Sequence, residues 1–267
     1  MPRVTLRQVR QLLLLLMVVL SMQLLVSSAV RALHRRERAS VAAYAALYAD
    51  PGATPGLPGY GLPRGASPCV SRSPRKFDDA YVSSLVRDTS ATPTDAAAAR
   101  LRAVAYLARA ALTDTVTGDF VETGAHADGA AALLLRTLRD YDTCGRRVWV
   151  FPAANGSAAE ADSVTDAFRL RVVRGSCNTS CAAAGVGQVA VLRLSGRSFD
   201  DAIQPLLAFY DQLAAGGFVY VDEYYESVQV KRAVDAFRSV RDVWEPLNAV
   251  VGLQPSTVHA AWWQRRY

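Results

Sequence analysis

Apolar and polar positions along this chain change period several times, and the changes mark out its elements. Residues 95–112, DAAAARLRAVAYLARAAL, are alanine-rich and place Leu101, Val104, Leu107 and Leu112 near a 3.6-residue repeat, which predicts a helix. The short apolar stretch DFVET then predicts a strand, and ADGAAALLLRTLRDY a helix. RRVWVF, LRVVRG and QVAVLRLS read as strands, FDDAIQPLLAFYDQLAAGG as a helix ended by its glycines, FVYVDEY as a strand and SVQVKRAVDAFRSV as a helix. LNAVVGLQPSTVHAAWWQRR reads as two strands joined at Pro255-Ser256-Thr257. This alternation predicts an α/β fold, a mainly parallel sheet covered on both faces, with a terminal hairpin after the fifth parallel strand. Open sheets of this kind bind ligands at the carboxyl ends of their strands, which directs attention to residues 122–124, 151–156, 194–197 and 221–224.

The first residues follow a different pattern. LLLLLMVVLSMQLLVSSAV (residues 12–30) carries no charge and is flanked by arginines. As a helix at about 1.5 Å per residue it spans roughly 28 Å, close to a bilayer core. It reads as a transmembrane signal-anchor, with residues 1–11 as a cytoplasmic tail. Ser27, Ser28 and Ala29 are small enough for cleavage, so a signal peptide and a secreted product are the alternative. Arg3, Arg7 and Arg10 precede the segment and Arg31, Arg35, Arg36 and Arg38 follow it, so charge does not set its orientation. RALHRRERASVAAYAALYA continues as helix, and DPGATPGLPGYGLPRGASP is too dense in proline and glycine to pack as helix or strand. Residues 31–76 therefore read as a stem, and 77–267 as the folded domain.

Composition narrows the function. The chain has 267 residues, 51% of them apolar, enough for a sizeable core. Its net charge of +6 gathers near the anchor and at the C-terminal QRRY. No basic stripe is interleaved with aromatic residues, so no nucleic-acid partner is expected; arginines beside an apolar helix suit anionic lipid headgroups. Cys69, Cys144, Cys177 and Cys181 all follow the anchor, and four cysteines allow three pairings. Asn155-Gly-Ser and Asn178-Thr-Ser are glycosylation acceptor patterns. Together these predict a lumenal domain in the endoplasmic reticulum or Golgi; a cytosol-facing domain with free thiols is the alternative. Three histidines and no pair of C-x-x-C motifs argue against zinc.

Three stretches then stand in a telling order: GDFVETGAHADGAA, VWVFPAANG, and VAVLRLSGRSFDDAIQPLLAFYDQLAAGGFVYVDEYYESVQVKRAVDAFR. Their order and spacing, from about residue 100 to 238, resemble the macrocin O-methyltransferase family. That resemblance implies a Rossmann-like class I methyltransferase fold: a mostly parallel seven-stranded sheet with a C-terminal antiparallel hairpin. It implies S-adenosylmethionine as cofactor, a sugar or glycan hydroxyl as acceptor, and a bound divalent metal. Glu122, Thr123 and Gly124 match the first strand and cofactor turn, where Gly124 lets the backbone pass close to the cofactor and Glu122 faces its ammonium. Asp222 and Glu223 match the end of the fifth strand, Asp222 as a candidate catalytic residue and both as candidate metal ligands, and Asn155 is a candidate cofactor contact. His126, after the cofactor turn, is a candidate general base, since imidazole titrates near neutrality; an exposed residue at a helix start is its plainer role. Asp128, Asp200 and Asp201 read as acids favouring helix N-termini. Tyr224 and Tyr225 read as pocket lining or aromatic packing, and one of Trp262 and Trp263 as core.

The departures from the family pattern matter as much. Pro152 stands where an acid would bind the cofactor's ribose, and a proline has neither side-chain acceptor nor N–H. Ser195 and Arg197 stand where two acids would, the first a metal ligand. Hard divalent cations want several anionic oxygens, so Mg²⁺ affinity is expected to fall by orders of magnitude, with Arg197 filling the ion's electrostatic place or binding an anion. Two outcomes follow: methyl transfer retained, or the fold kept as an inactive binding or scaffold protein.

Overall fold

The computed structural model describes residues 77–89, 94–125, 129–142, 144–152, 169–175, 177–252 and 258–266. The expected anchor (12–30), the stem (31–76), His126, Asp128, Asn155 and the 255–257 connection lie outside the described residues. Among those described, no helix is long and apolar enough to cross a membrane.

The elements follow in the order α1 Asp79–Thr89, α2 Asp95–Thr113, β1 Asp119–Ala125, α3 Ala130–Tyr141, β2 Val148–Pro152, β3 Leu170–Val172, α4 Cys177–Ser180, β4 Val189–Leu194, α5 Phe199–Phe209, β5 Leu213–Val221, α6 Val228–Val240, β6 Asn248–Val251 and β7 Val258–Gln264. They build one seven-stranded sheet in the order β3-β2-β1-β4-β5-β7-β6. β1 to β5 pair in parallel, and β7 runs antiparallel to both β5 and β6. This is the predicted architecture, including the terminal hairpin.

Local chemistry explains the helix starts. Thr94 accepts the Ala97 N–H and opens α2, and Ser227 accepts the Val230 N–H and opens α6. Ser198 and Asp201 form a reciprocal capping box at α5, so Asp201 does more than favour the helix dipole. α2 buries Leu101, Val104, Ala105, Ala108, Ala111 and Leu112, a stripe whose alanines let the helix lie close to the sheet. With α1 and α3 it covers one face, in a core that includes Phe77, Leu85, Leu133, Leu134, Phe120, Val150, Val191 and Tyr220. α5 covers the other face, where Phe209 meets Phe151 of β2 at 5.4 Å between ring centroids. Trp263 is fully buried and Trp262 only partly, so the first is core, as alternation required.

Two elements differ from expectation. α1 was not anticipated, although Val82, Leu85 and Val86 bury at helical spacing. The glycines of LAAGG do not end a helix; they lie inside β5. The helix stops at Phe209 and passes through a short 3-10 turn, Tyr210–Gln212. The chain then pairs with the C-terminal tail: Gly216 donates to the Arg265 carbonyl at 2.7 Å and Arg265 donates back to Gly217 at 2.8 Å. The Arg265 guanidinium also donates to the Tyr210 and Leu213 carbonyls, satisfying groups that the end of α5 leaves open.

Of the cysteines, Cys177 and Cys181 form a disulfide, and Cys144 is disulfide-bonded as well.

Candidate functional site

The carboxyl ends of β1, β4 and β5 lie side by side, with β4 in the middle. Backbone pairing continues past the strands. Ser195 donates its N–H to the Thr123 carbonyl at 2.9 Å, and Asp222 donates to the Leu194 carbonyl at 2.9 Å. This stitching fixes the three strand ends as one rigid edge, which is what precise placement of side chains needs.

Register places Glu122, Arg193 and Tyr220 level with one another across the three strands. β4 is buried along its whole length, and Arg193 within it is 0% exposed. Its guanidinium donates to Glu122 Oε1 through Nη1 and to Asp222 Oδ2 through Nη2. One arginine thus holds two buried carboxylates, a fork geometry that guanidinium supplies and ammonium does not. Burial, and then the Asp222 charge, push the Tyr220 phenol well above its ordinary 10.0, so it stays neutral. Sequence reading missed Arg193. The signal was there: a charged residue inside an otherwise apolar central strand has to be paired.

A second set of charges lies along the same edge. Arg100 of α2 reaches Glu223 Oε1 at 3.4 Å and Glu226 Oε1 at 2.6 Å. Arg197 reaches the same Glu223 oxygen at 3.5 Å, and His259 Nδ1 lies 2.9 Å from Glu226 Oε1. Burial alone would raise the Glu226 carboxyl; the hydrogen bonds and charges of Arg100 and His259 outweigh it and hold the group below 4.5. Burial works against the Arg100 cation too, but its carboxylate partners outweigh it and raise the group above its ordinary value. Arg100, Glu226 and His259 come from distant parts of the chain, and no local spacing pointed to them.

The predicted residues divide as follows. Glu122, Thr123, Asp222, Glu223 and Ser195 come together at this edge. Glu122 and Asp222 are held by Arg193, and Thr123 serves the stitching through its carbonyl. Gly124 adopts φ +67°, and a Cβ there would stand 2.5 Å from the Gly196 nitrogen. The immediate reason for this glycine is therefore the backbone after β4, rather than a bound cofactor. Pro152 ends β2 beside Ala125, so the position expected to bind ribose does sit at the strand edge. Tyr224 donates its hydroxyl to Asp235 at 2.6 Å and stacks edge-on to Tyr225 at 4.8 Å, which makes it packing against α6. A groove of about 380 Å³ between α2 and β6, lined by Ala99, Ala103, Leu107, Val250 and Trp262, includes none of these strand-end acids.

The edge suits one of the two expected groups better than the other. For S-adenosylmethionine it offers left-handed glycines, Gly124 and Gly129, at the carboxyl end of β1 and the start of α3, while the Glu122 carboxylate is already held by Arg193. For a divalent cation the donor set does not fit. The Ser195 hydroxyl donates to the Thr123 carbonyl at 3.0 Å, Asp222 is held by Arg193, and Glu223 faces two guanidiniums.

Comparison with known proteins agrees with this fold. The family model for macrocin O-methyltransferase (TylF) matches residues 87–169 and 162–265. Demethyldecarbamoylnovobiocin O-methyltransferase of Streptomyces niveus is 26% identical over 182 residues, 57% of this chain and 70% of that protein. A Streptomyces olivaceus enzyme, 8-demethyl-8-(2,3-dimethoxy-alpha-L-rhamnosyl)-tetracenomycin-C 4'-O-methyltransferase, is 26% identical over 204 residues, 60% of this chain and 78% of its own. Among solved structures, the O-methyltransferase NovP superposes with a TM-score of 0.54 at 24% identity, covering 64% of this chain and 81% of NovP.

Proposed function

The chain belongs to the macrocin O-methyltransferase family, and from that premise we propose that it transfers a methyl group from S-adenosylmethionine to a sugar or glycan hydroxyl. The observation that carries this reading is the strand edge: Glu122 in β1 and Asp222 just after β5 are both buried and held by one guanidinium. The rhamnosyl group in the name of the Streptomyces olivaceus relative supports a sugar as acceptor. S-adenosylmethionine supplies a methyl group activated on a sulfonium centre. Glu122, Thr123 and Gly124 shape the cofactor side of the edge, with Asn155 after β2; Asp222 and Glu223 shape the acceptor side, with His126 after β1 as a base for the hydroxyl proton. The chain's own contribution is orientation on a rigid edge, which holds the acceptor in line with the sulfonium methyl.

Calorimetric titration of the full-length protein with S-adenosylmethionine and its demethylated product tests this. Binding at micromolar concentrations is expected. A folded protein that takes up neither ligand at millimolar concentration would leave the fold reused for another task.

The domain is proposed to sit in the lumen of the endoplasmic reticulum or Golgi behind the 12–30 anchor. Its disulfides support this, because such bonds persist in oxidising compartments. In microsomes, glycosidase treatment should shift the protein's mobility through Asn155 or Asn178; complete resistance of both would count against a lumenal domain.

A further inference from the structure

Three carboxylates lie buried together at the edge of β1, β4 and β5. Glu122 is 1%, Asp222 3% and Glu223 6% exposed. Ionised carboxylates at that depth repel one another and have lost their water, so positive charge has to compensate them. A divalent cation is one source of that charge. Here the chain itself is the source. Arg193 bridges Glu122 and Asp222, and Arg100 and Arg197 converge on one oxygen of Glu223.

We propose that these guanidinium groups permanently take the place of a divalent cation, so that the site binds no metal ion and works without one. What the site is used for rests on the methyltransferase reading; its charge balance does not. Guanidinium stays protonated at any pH at which the protein is folded, so the compensation is fixed rather than exchangeable. The backbone that carries Arg197 is fixed as well. Arg197 follows β4 directly, its N–H donates to Asp201 Oδ2 at 3.2 Å, and its carbonyl accepts the Ser227 hydroxyl at 2.9 Å. Both sides of its backbone are therefore held while its side chain, 74% exposed, reaches Glu223 from the solvent side. Arg193 is the buried cation and Arg197 the outer one. A cation approaching Asp222 and Glu223 would meet three positive charges and, at Ser195, a neutral hydroxyl already directed at a carbonyl. The same arrangement leaves Arg197 as the positive group facing an incoming acceptor oxygen, a role that charge rather than coordination performs.

Mn²⁺ serves as the probe. Full-length protein in detergent, without S-adenosylmethionine, is titrated with Mn²⁺ and the free ion is followed by electron paramagnetic resonance. The wild type is expected to bind none at the edge up to about 1 mM, and the S195D/R197D double variant at least about 100-fold more tightly, since it restores two oxygen ligands and removes one repelling charge. The single variant Arg197→Asp serves if the double variant fails to fold, and a smaller gain is expected from it. A saturable wild-type site tighter than about 100 μM that Asp222→Asn abolishes would overturn the proposal, as would folded variants that bind no better than wild type. S-adenosylmethionine binding, measured on the same samples with and without EDTA, reports separately on the methyltransferase reading.

Discussion

Replacing Arg193 by methionine should lower the unfolding free energy by about 3–5 kcal/mol, the range for removing one partner of a buried ion pair. Methionine matches much of the arginine stem, so the effect isolates the charge rather than a cavity. Glu122 and Asp222 would remain, 1% and 3% exposed, with their shared cation gone. One of them should then take up a proton, because two buried like charges are not both sustained. The folded-state pKa of that group rises above its unfolded value, so the native state binds more protons and the variant regains stability as pH falls. Denaturant unfolding at pH 8 and pH 5 checks both parts: a large loss at pH 8 and a smaller one at pH 5. A pH-independent loss below about 1 kcal/mol would show that the two acids do not depend on the guanidinium. Replacing all three residues by Gln, Met and Asn should recover much of the loss, because no buried charge is then left alone.

Gly124→Ala is expected to destabilise the protein by about 2–3 kcal/mol and to weaken S-adenosylmethionine binding by at least about tenfold. Two causes combine. A side chain at φ +67° is strained by about 1–2 kcal/mol, and its Cβ would stand 2.5 Å from the Gly196 nitrogen and 2.8 Å from its Cα, backbone atoms with little freedom to move. Gly185→Ala separates the two. Gly185 has nearly the same φ, +68°, and a Cβ there meets nothing within 4 Å. Its loss measures conformational strain alone, and the excess at Gly124 measures how tightly the β1 and β4 turns abut. Equal losses at the two positions would mean that the close approach carries no energy.

Much of this was legible in the chain. A strand needs only a short apolar run with turn residues beyond it, and a helix only a stripe at 3.6 spacing; both are local. Seven strands, the terminal hairpin, one buried tryptophan of the Trp262–Trp263 pair and the acids Glu122 and Asp222 near the carboxyl edge were therefore readable, and the order and spacing of DFVETG, LAAGGFVYVDEY and AVDAF carried the family. At β5 a distant partner had decided. LAAGG carries the local signal of a helix end, yet pairing with Arg265 turns it into strand.

The sequence by itself determined the strands, the helix stripes and which acids stand near the carboxyl edge, because each is written in residues a few positions apart, and the alternation of strand and helix implied a parallel sheet. Only the tertiary structure decided what those acids do. Arg193 holds Glu122 from 71 positions away and Asp222 from 29, and Arg100 meets Glu223 from 123. Such pairings arise because burial removes water from each charge and leaves the fold to supply its counter-charge, and no sequence interval encodes which arginine that is.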